Sequence, residues 1–250
     1  MIQILLAFQF LTIFPIRIAR AVRDADLVRS MRWYPLVGAM LGGLSAGVFY
    51  VTQQLFSPGV SGVAAIMSLV VLSGALHLDG FADMCDGFYG GESRDRVLAI
   101  MKDSRSGAMA IIGIFSLLAM KIALLGNLEV SRAERALVLA PAVGRWAMVW
   151  LCATSAYARS EGGTASAYIG HVDKKILLIA TLLCVGIAYF LFQTKGLLVM
   201  TVSVVFAWAF RYYVQERIGG MTGDTLGACS ECVEVLVLAA FSIHHISFGL

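Results

Sequence analysis

Three aspartates, Asp79, Asp83 and Asp86, stand at i, i+4 and i+7 in the stretch HLDGFADMCDGFYGGESRDRVLAIMKDSR over 77–105. At about 100° per residue they fall within roughly 60° of one helix face. Like charges on one face repel each other, and a bound divalent cation removes that conflict. Mg²⁺ prefers carboxylate oxygens and commonly completes its shell with phosphates, so the trio is expected to ligate Mg²⁺, with room for two ions about 4 Å apart. Gly80, Gly87, Gly90 and Gly91 remove side chains where a substrate approaches. His77 falls on the opposite helix face, where a structural hydrogen-bonded histidine is the preferred reading over a ligand. Ser93 is placed to cap a short helix running to about Arg105. On that helix Arg94 and Arg105 share a face, as do Arg96 and Asp103, and Lys102 adds a further cation. Arginine forks fit phosphate oxygens, and an acidic helix beside a basic one suits a diphosphate. The plain alternative is a solvated acidic loop whose arginines pair locally.

A second constellation, GGMTGDTLGACSECVE, covers 219–234. Asp224 opens the last apolar run, where it serves either as an N-cap or as part of the site. Glu231 and Glu234 lie inside that run. Buried carboxylates in a membrane are costly unless paired or functional. Lys121 and Arg145, the other charges inside apolar runs, are their natural partners. Pairing and substrate contact stay equally open for these four.

The elements that must position these residues are membrane spans. Of 250 residues 59% are hydrophobic and 14% charged, and the mean hydropathy is +0.83. A soluble domain has about 45–50% apolar and about 25% charged residues. Continuous rather than alternating apolar runs exclude a closed β-barrel. The five cysteines are odd in number and lie mostly in apolar runs, which argues against a disulfide framework. Cys229 and Cys232 have CxxC spacing without a second pair to complete a zinc site. Apolar runs at 33–56, 59–76, 106–126, 136–157, 176–192, 196–213 and 225–246 predict an all-α polytopic membrane helix bundle of about seven full spans. Residues 1–15 are short for a crossing and read as a half-helix or interfacial helix. No linker divides the chain, so 1–250 is read as one integral membrane domain that carries 77–105 as its cytoplasmic catalytic segment. Fourteen of the 19 basic residues, Arg20 among them, fall in segments assigned to one side; the other side holds Arg132, Arg135 and Lys195. The richer side is expected to be cytoplasmic. A net charge of +3 then reports orientation rather than a nucleic-acid partner. The Gly38, Gly42, Gly43, Gly47 stripe predicts close helix packing within the chain in preference to a dimer seam, and an oligomer stays open.

The motif HLDGFADMCDGFYGG followed by IMKDSRSG resembles the signature of cobalamin-5'-phosphate synthases, also called adenosylcobinamide-GDP ribazoletransferases. TIFPI at 12–16, RWYPLVGAMLGG at 32–43, PAVGRW at 141–146 and GGMTGDTLGACSE at 219–231 are similar to other blocks of that family. The resemblance covers nearly the whole chain. It implies a multi-pass, Mg²⁺-dependent enzyme of the bacterial inner membrane with its site facing the cytoplasm. Such an enzyme joins adenosylcobinamide-GDP to α-ribazole or α-ribazole 5'-phosphate and releases GMP by phosphoryl transfer. On that reading Asp79, Asp83 and Asp86 carry the metal, Asp103 or Asp224 accepts the hydroxyl proton, and Arg94, Arg96, Lys102, Arg105 and Arg145 contact substrate. There is also a partial likeness to CDP-alcohol phosphotransferases in Asp83-Met-Cys-Asp86-Gly87, but Gly90-Gly91 and Gly107 depart from that pattern. A transporter would place its charges near the midplane, whereas these acids cluster at a span end.

Overall fold

A computed structural model describes residues 2–19 and 21–243; Arg20 and the 244–246 end of the last predicted run lie outside the described residues. The helices are α1 (Ile2–Leu11), α2 (Asp24–Ser30), α3 (Tyr34–Gln53), α4 (Pro58–Leu72), α5 (Leu76–Gly90), α6 (Arg94–Ile100), α7 (Ala108–Gly126), α8 (Val130–Thr154), α9 (Lys174–Ile218) and α10 (Gly223–Ser242). No strand forms among the described residues, and one isolated bridge joins Tyr157 to Met221. The all-α apolar bundle expected from composition is what the chain builds.

Among the described residues five helical stretches are long and apolar enough to cross a membrane, 24–53, α7, α8, α9 and α10, or six if the bent pair α4 and α5 counts as one span. α9 is folded back on itself. Its 45 residues would reach about 68 Å if straight. At Gln193 the backbone turns to φ 53°, ψ −132°. Beyond it the Cys184 thiol meets the Met200 sulfur at 3.6 Å, and Gly196 lies so close to the Ala188 carbonyl that a Cβ would collide with it. These pairs are symmetric about residue 192, so the arms run antiparallel and are joined by the tiny 193–195 connection anticipated above.

The 59–76 run differs from its expected full span. α4 has 15 residues, about 22 Å, against about 30 Å of hydrocarbon. Gly74 and Ala75 then take φ of 62° and 56°, and the chain bends by 92° into α5. Left-handed residues end a helix, and hydropathy does not register them. α1, with ten residues, is about 15 Å long, the half-helix predicted, with Leu6, Ala7 and Leu11 buried.

α8 is the buried axis of the bundle. α3 packs on it through Gly38 and Gly42, where a Cβ would strike α8 backbone at Pro141 and Leu137. Gly43 and Gly47 meet nothing within 4 Å, so the glycine stripe splits into a packed pair and an open pair.

Candidate active site

α5 and α10 cross at contact distance. A Cβ on Gly80 would lie 2.7 Å from the Asp224 carbonyl oxygen, and one on Gly227 3.0 Å from the His77 carbonyl. Two glycines, one from each constellation, thus let the helices touch, and the touch brings Asp224 beside the α5 aspartates. Asp83 is half-buried and within Coulombic range of Asp224, Asp79 and Asp86, with the Arg159 guanidinium as a compensating charge. Arg159 donates to Asp224 at 2.9 Å. Its Nε is buried with no hydrogen-bond partner.

The segment that carries Arg159 is fastened by backbone bonds. Ala158 N–H donates to Met221 O and Met221 N–H to Ala156 O, both at 2.9 Å. Gly220 makes this possible, since a Cβ there would be 2.6 Å from the Ala156 carbonyl. Arg94 and Arg217 tie further ends together. Arg94 Nε donates to Ile218 O at 3.0 Å and its Nη2 to Ala158 O at 2.6 Å. Arg217 donates to Phe88 O at 2.7 Å and Gly91 O at 2.9 Å.

The predicted site residues therefore divide. Asp79, Asp83 and Asp224 gather at the α5–α10 crossing. Asp224 does not cap α10. Thr222 does, exchanging bonds with Thr225 in a capping box, which frees the Asp224 carboxylate for Arg159. Asp86 is engaged elsewhere. Its carboxylate accepts from Gly107 N–H at 2.5 Å and Ala110 N–H at 2.8 Å, closing the start of α7. A Cβ on Gly107 would lie 2.7 Å from an Asp86 oxygen, so a side chain there would push the carboxylate away from these donors. Asp86→Ala is expected to lower stability by about 1–2 kcal/mol, read as a lower unfolding midpoint in detergent; an unchanged midpoint would contradict the capping role.

Arg94 has its fork engaged by carbonyls and by Asp95 at 3.1 Å. Arg96 is exposed. Lys102 pairs with Glu161 at 2.8 Å, a link that holds the Glu161 carboxyl below its usual range. Arg105 grips Asp103 at 2.6 Å and holds its carboxyl down at about 2, which makes Asp103 a weak base. Arg145 is buried in α8. It pairs with Glu234, while Lys121 pairs with Glu231 at 2.5 Å and with Glu234 at 2.6 Å. The intramembrane charges thus meet as partners, within the packed bundle.

A cavity of about 240 Å³ opens at the crossing, with Asp79, Asp224 and His77 in its wall beside Phe10, Tyr34 and Tyr168. Sequence reasoning counted Arg159 only as a loop cation and missed the tyrosines; nothing in their local pattern marks them.

The donor set suits Mg²⁺ of one kind. Among the described residues no three His, Cys, Asp or Glu side chains are placed together to hold a metal ion. Mg²⁺ seldom uses an all-protein cage; it commonly takes one or two carboxylates and fills its shell with water and substrate phosphate. Asp79 and Asp83, one turn apart on α5, would offer that partial set.

A family profile described as Cobalamin-5-phosphate synthase matches residues 3–242. A curated relative from Desulforamulus reducens is 38% identical over 233 residues, covering 93% of both chains. Relatives from Clostridium novyi, 33% identical over 95% of both chains, and Syntrophobacter fumaroxidans, 38% identical over 94% of this chain and 95% of its own, are similar along the same length. All three are named Adenosylcobinamide-GDP ribazoletransferase. No solved structure matches the chain.

Proposed function

The chain belongs to the cobalamin-5-phosphate synthase family, and from that premise we propose that it joins adenosylcobinamide-GDP to α-ribazole or its 5'-phosphate by Mg²⁺-assisted phosphoryl transfer, releasing GMP. The observation that carries the reading is the α5–α10 crossing, where Asp79 and Asp224 line one cavity, Arg159 donates to Asp224 and Asp83 lies within Coulombic range of all three.

A ribose hydroxyl of the acceptor attacks the cobinamide-side phosphorus. The new O–P bond forms as the P–O bond to GMP breaks, and GMP leaves with that electron pair. Asp224 accepts the hydroxyl proton, with Arg159 holding its carboxylate in place. The buried, unpartnered Arg159 Nε–H is offered to a phosphate oxygen, a charge-assisted bond. Asp79 and Asp83 on α5 would hold Mg²⁺ together with substrate phosphate. Bound there, the ion supplies charge neutralisation of the diphosphate and of the leaving oxygen. The glycine contacts keep these groups from drifting apart, so positioning rests on backbone rather than on flexible side chains. Purified protein in detergent with both substrates tests the reading: GMP release is expected with Mg²⁺ and absent after chelation, and release that ignores chelation would exclude the metal.

Nucleotide substrates are cytoplasmic, so the site is placed on that face of the bacterial inner membrane. Ser160 and Ser131 are exposed near opposite ends of α8. A membrane-impermeant maleimide applied to spheroplasts is expected to label Ser131→Cys and to reach Ser160→Cys only after the membrane is opened. The reverse pattern would invert the orientation.

A further inference from the structure

His77 carries a hydrogen that nothing in the protein takes up. It is 1% exposed and its Nδ1 lies 3.3 Å from Arg145 Nη2. A guanidinium has donors only, so Nδ1 accepts and the ring's single proton sits on Nε2. That Nε2 is buried without a partner. A buried donor left unmatched is uncommon and unfavourable. His77 is also part of the wall of the cavity at the α5–α10 crossing.

The remainder of that wall states what the missing partner looks like. Phe10 stacks on Tyr34 with ring centroids 6.2 Å apart and meets Tyr168 at 5.6 Å. Three aromatic rings, from the N-terminal half-helix, the start of α3 and the 164–172 segment, favour a flat ring. About 240 Å³ is less than the roughly 300 Å³ at which small-molecule sites begin, so the space suits one ring system rather than a nucleotide. Asp79 and Asp224 in the same wall would repel a phosphate that entered the cavity without a cation. A neutral, flat heterocycle with a lone pair on a ring nitrogen meets all of these conditions.

We propose that this cavity binds the heteroaromatic base of the acceptor nucleoside, with His77 Nε2–H donating to a ring nitrogen of that base. The inference rests on the transferase reading above and adds to it which part of which substrate enters the bundle. His77 is on this view a positioning residue. By holding the base it sets the attached ribose at the cavity mouth, beside Asp79 and Asp224. Arg145 takes part at one remove, because its bond to Nδ1 fixes where the imidazole proton resides.

The test is a binding cycle on the full chain in detergent, without the GDP-activated donor. α-Ribazole, a benzimidazole nucleoside, is compared by calorimetry with its indole counterpart, in which the ring nitrogen is replaced by C–H. Wild type is expected to bind the indole nucleoside about tenfold more weakly, the loss of one hydrogen bond to a buried donor. His77→Leu is expected to bind the two alike, so that the effects of protein and ligand changes are not additive. Ala165→Phe intrudes on the cavity without altering His77; it is expected to weaken α-ribazole at least tenfold and to leave adenosylcobinamide-GDP binding unchanged. Should His77→Leu fail to fold, the wild-type comparison and Ala165→Phe still decide. Equal binding of both nucleosides by wild type, or ordinary α-ribazole binding by Ala165→Phe, overturns the inference and leaves the His77 donor to a water. GMP release measured on the same preparation separates the two levels: turnover alongside either overturning result removes the base site alone, while absence of both α-ribazole binding and GMP release removes the transferase reading with it.

Discussion

Asp224→Asn should lower turnover about a thousandfold, equivalent to about 4 kcal/mol of transition-state stabilisation, while the protein remains folded. Asparagine keeps the size and an oxygen for Arg159, and the start of α10 is secured by Thr222 and Thr225 instead. What is removed is the charge that, on the proposed mechanism, accepts the hydroxyl proton. Unfolding in detergent and GMP release, measured together, check this. Turnover within about threefold of wild type would reduce Asp224 to an anchor for Arg159. A lost rate with a raised Mg²⁺ requirement would assign the carboxylate to the metal shell, and a lost rate at unchanged requirement would assign it to proton transfer.

The second large effect is on stability. Glu234→Ala should cost about 3–5 kcal/mol, the consequence of removing one member of a buried ion network. Glu234 accepts from both Lys121 and Arg145, and all three are nearly inaccessible. The variant leaves two buried cations facing Glu231 alone. Lys121→Met combined with Glu231→Leu should cost far less, because it removes a pair whole and keeps Arg145 with Glu234. Folded yield and detergent unfolding midpoints give the comparison, and a double variant as unstable as Glu234→Ala would show that the network is not organised as pairs.

How far these features could be read in advance depended on what kind of contact each residue makes. The bundle was legible because apolar continuity is a direct readout of burial in lipid. Glu231, Glu234, Lys121 and Arg145 were legible as natural partners, since charge inside a span seeks charge, but substrate contact stayed equally open for them until the structure paired them. The aspartate stripe was legible as a helix face, but its members were not separable. Asp86 is distinguished from Asp83 only by backbone N–H groups at Gly107 and Ala110, and backbone donors leave no mark on composition. Asp224 stayed open between cap and site residue because it opens an apolar run, when the capping side chain stands two residues earlier. Arg159 was invisible for a different reason. Its role comes from a bridge between Tyr157 and Met221, a contact across distant segments. The shortness of α4 escaped because Gly74 and Ala75 change direction without changing hydropathy.

The Lys121 network also has a consequence for synthesis. Lys121 reaches the ribosome's exit 110 residues ahead of Glu231. At about 5–20 residues per second the wait is roughly 5 to 20 s. During that interval α7 must partition into the bilayer with its lysine unmatched, a burden of about 2.5–3.5 kcal/mol at a helix centre. α7 is more apolar than α8 or α10, and that surplus is what lets it integrate before its counter-ions exist. The two late glutamates then arrive to an ammonium already waiting in the hydrocarbon, so the last helix is recruited by charge as well as by hydropathy.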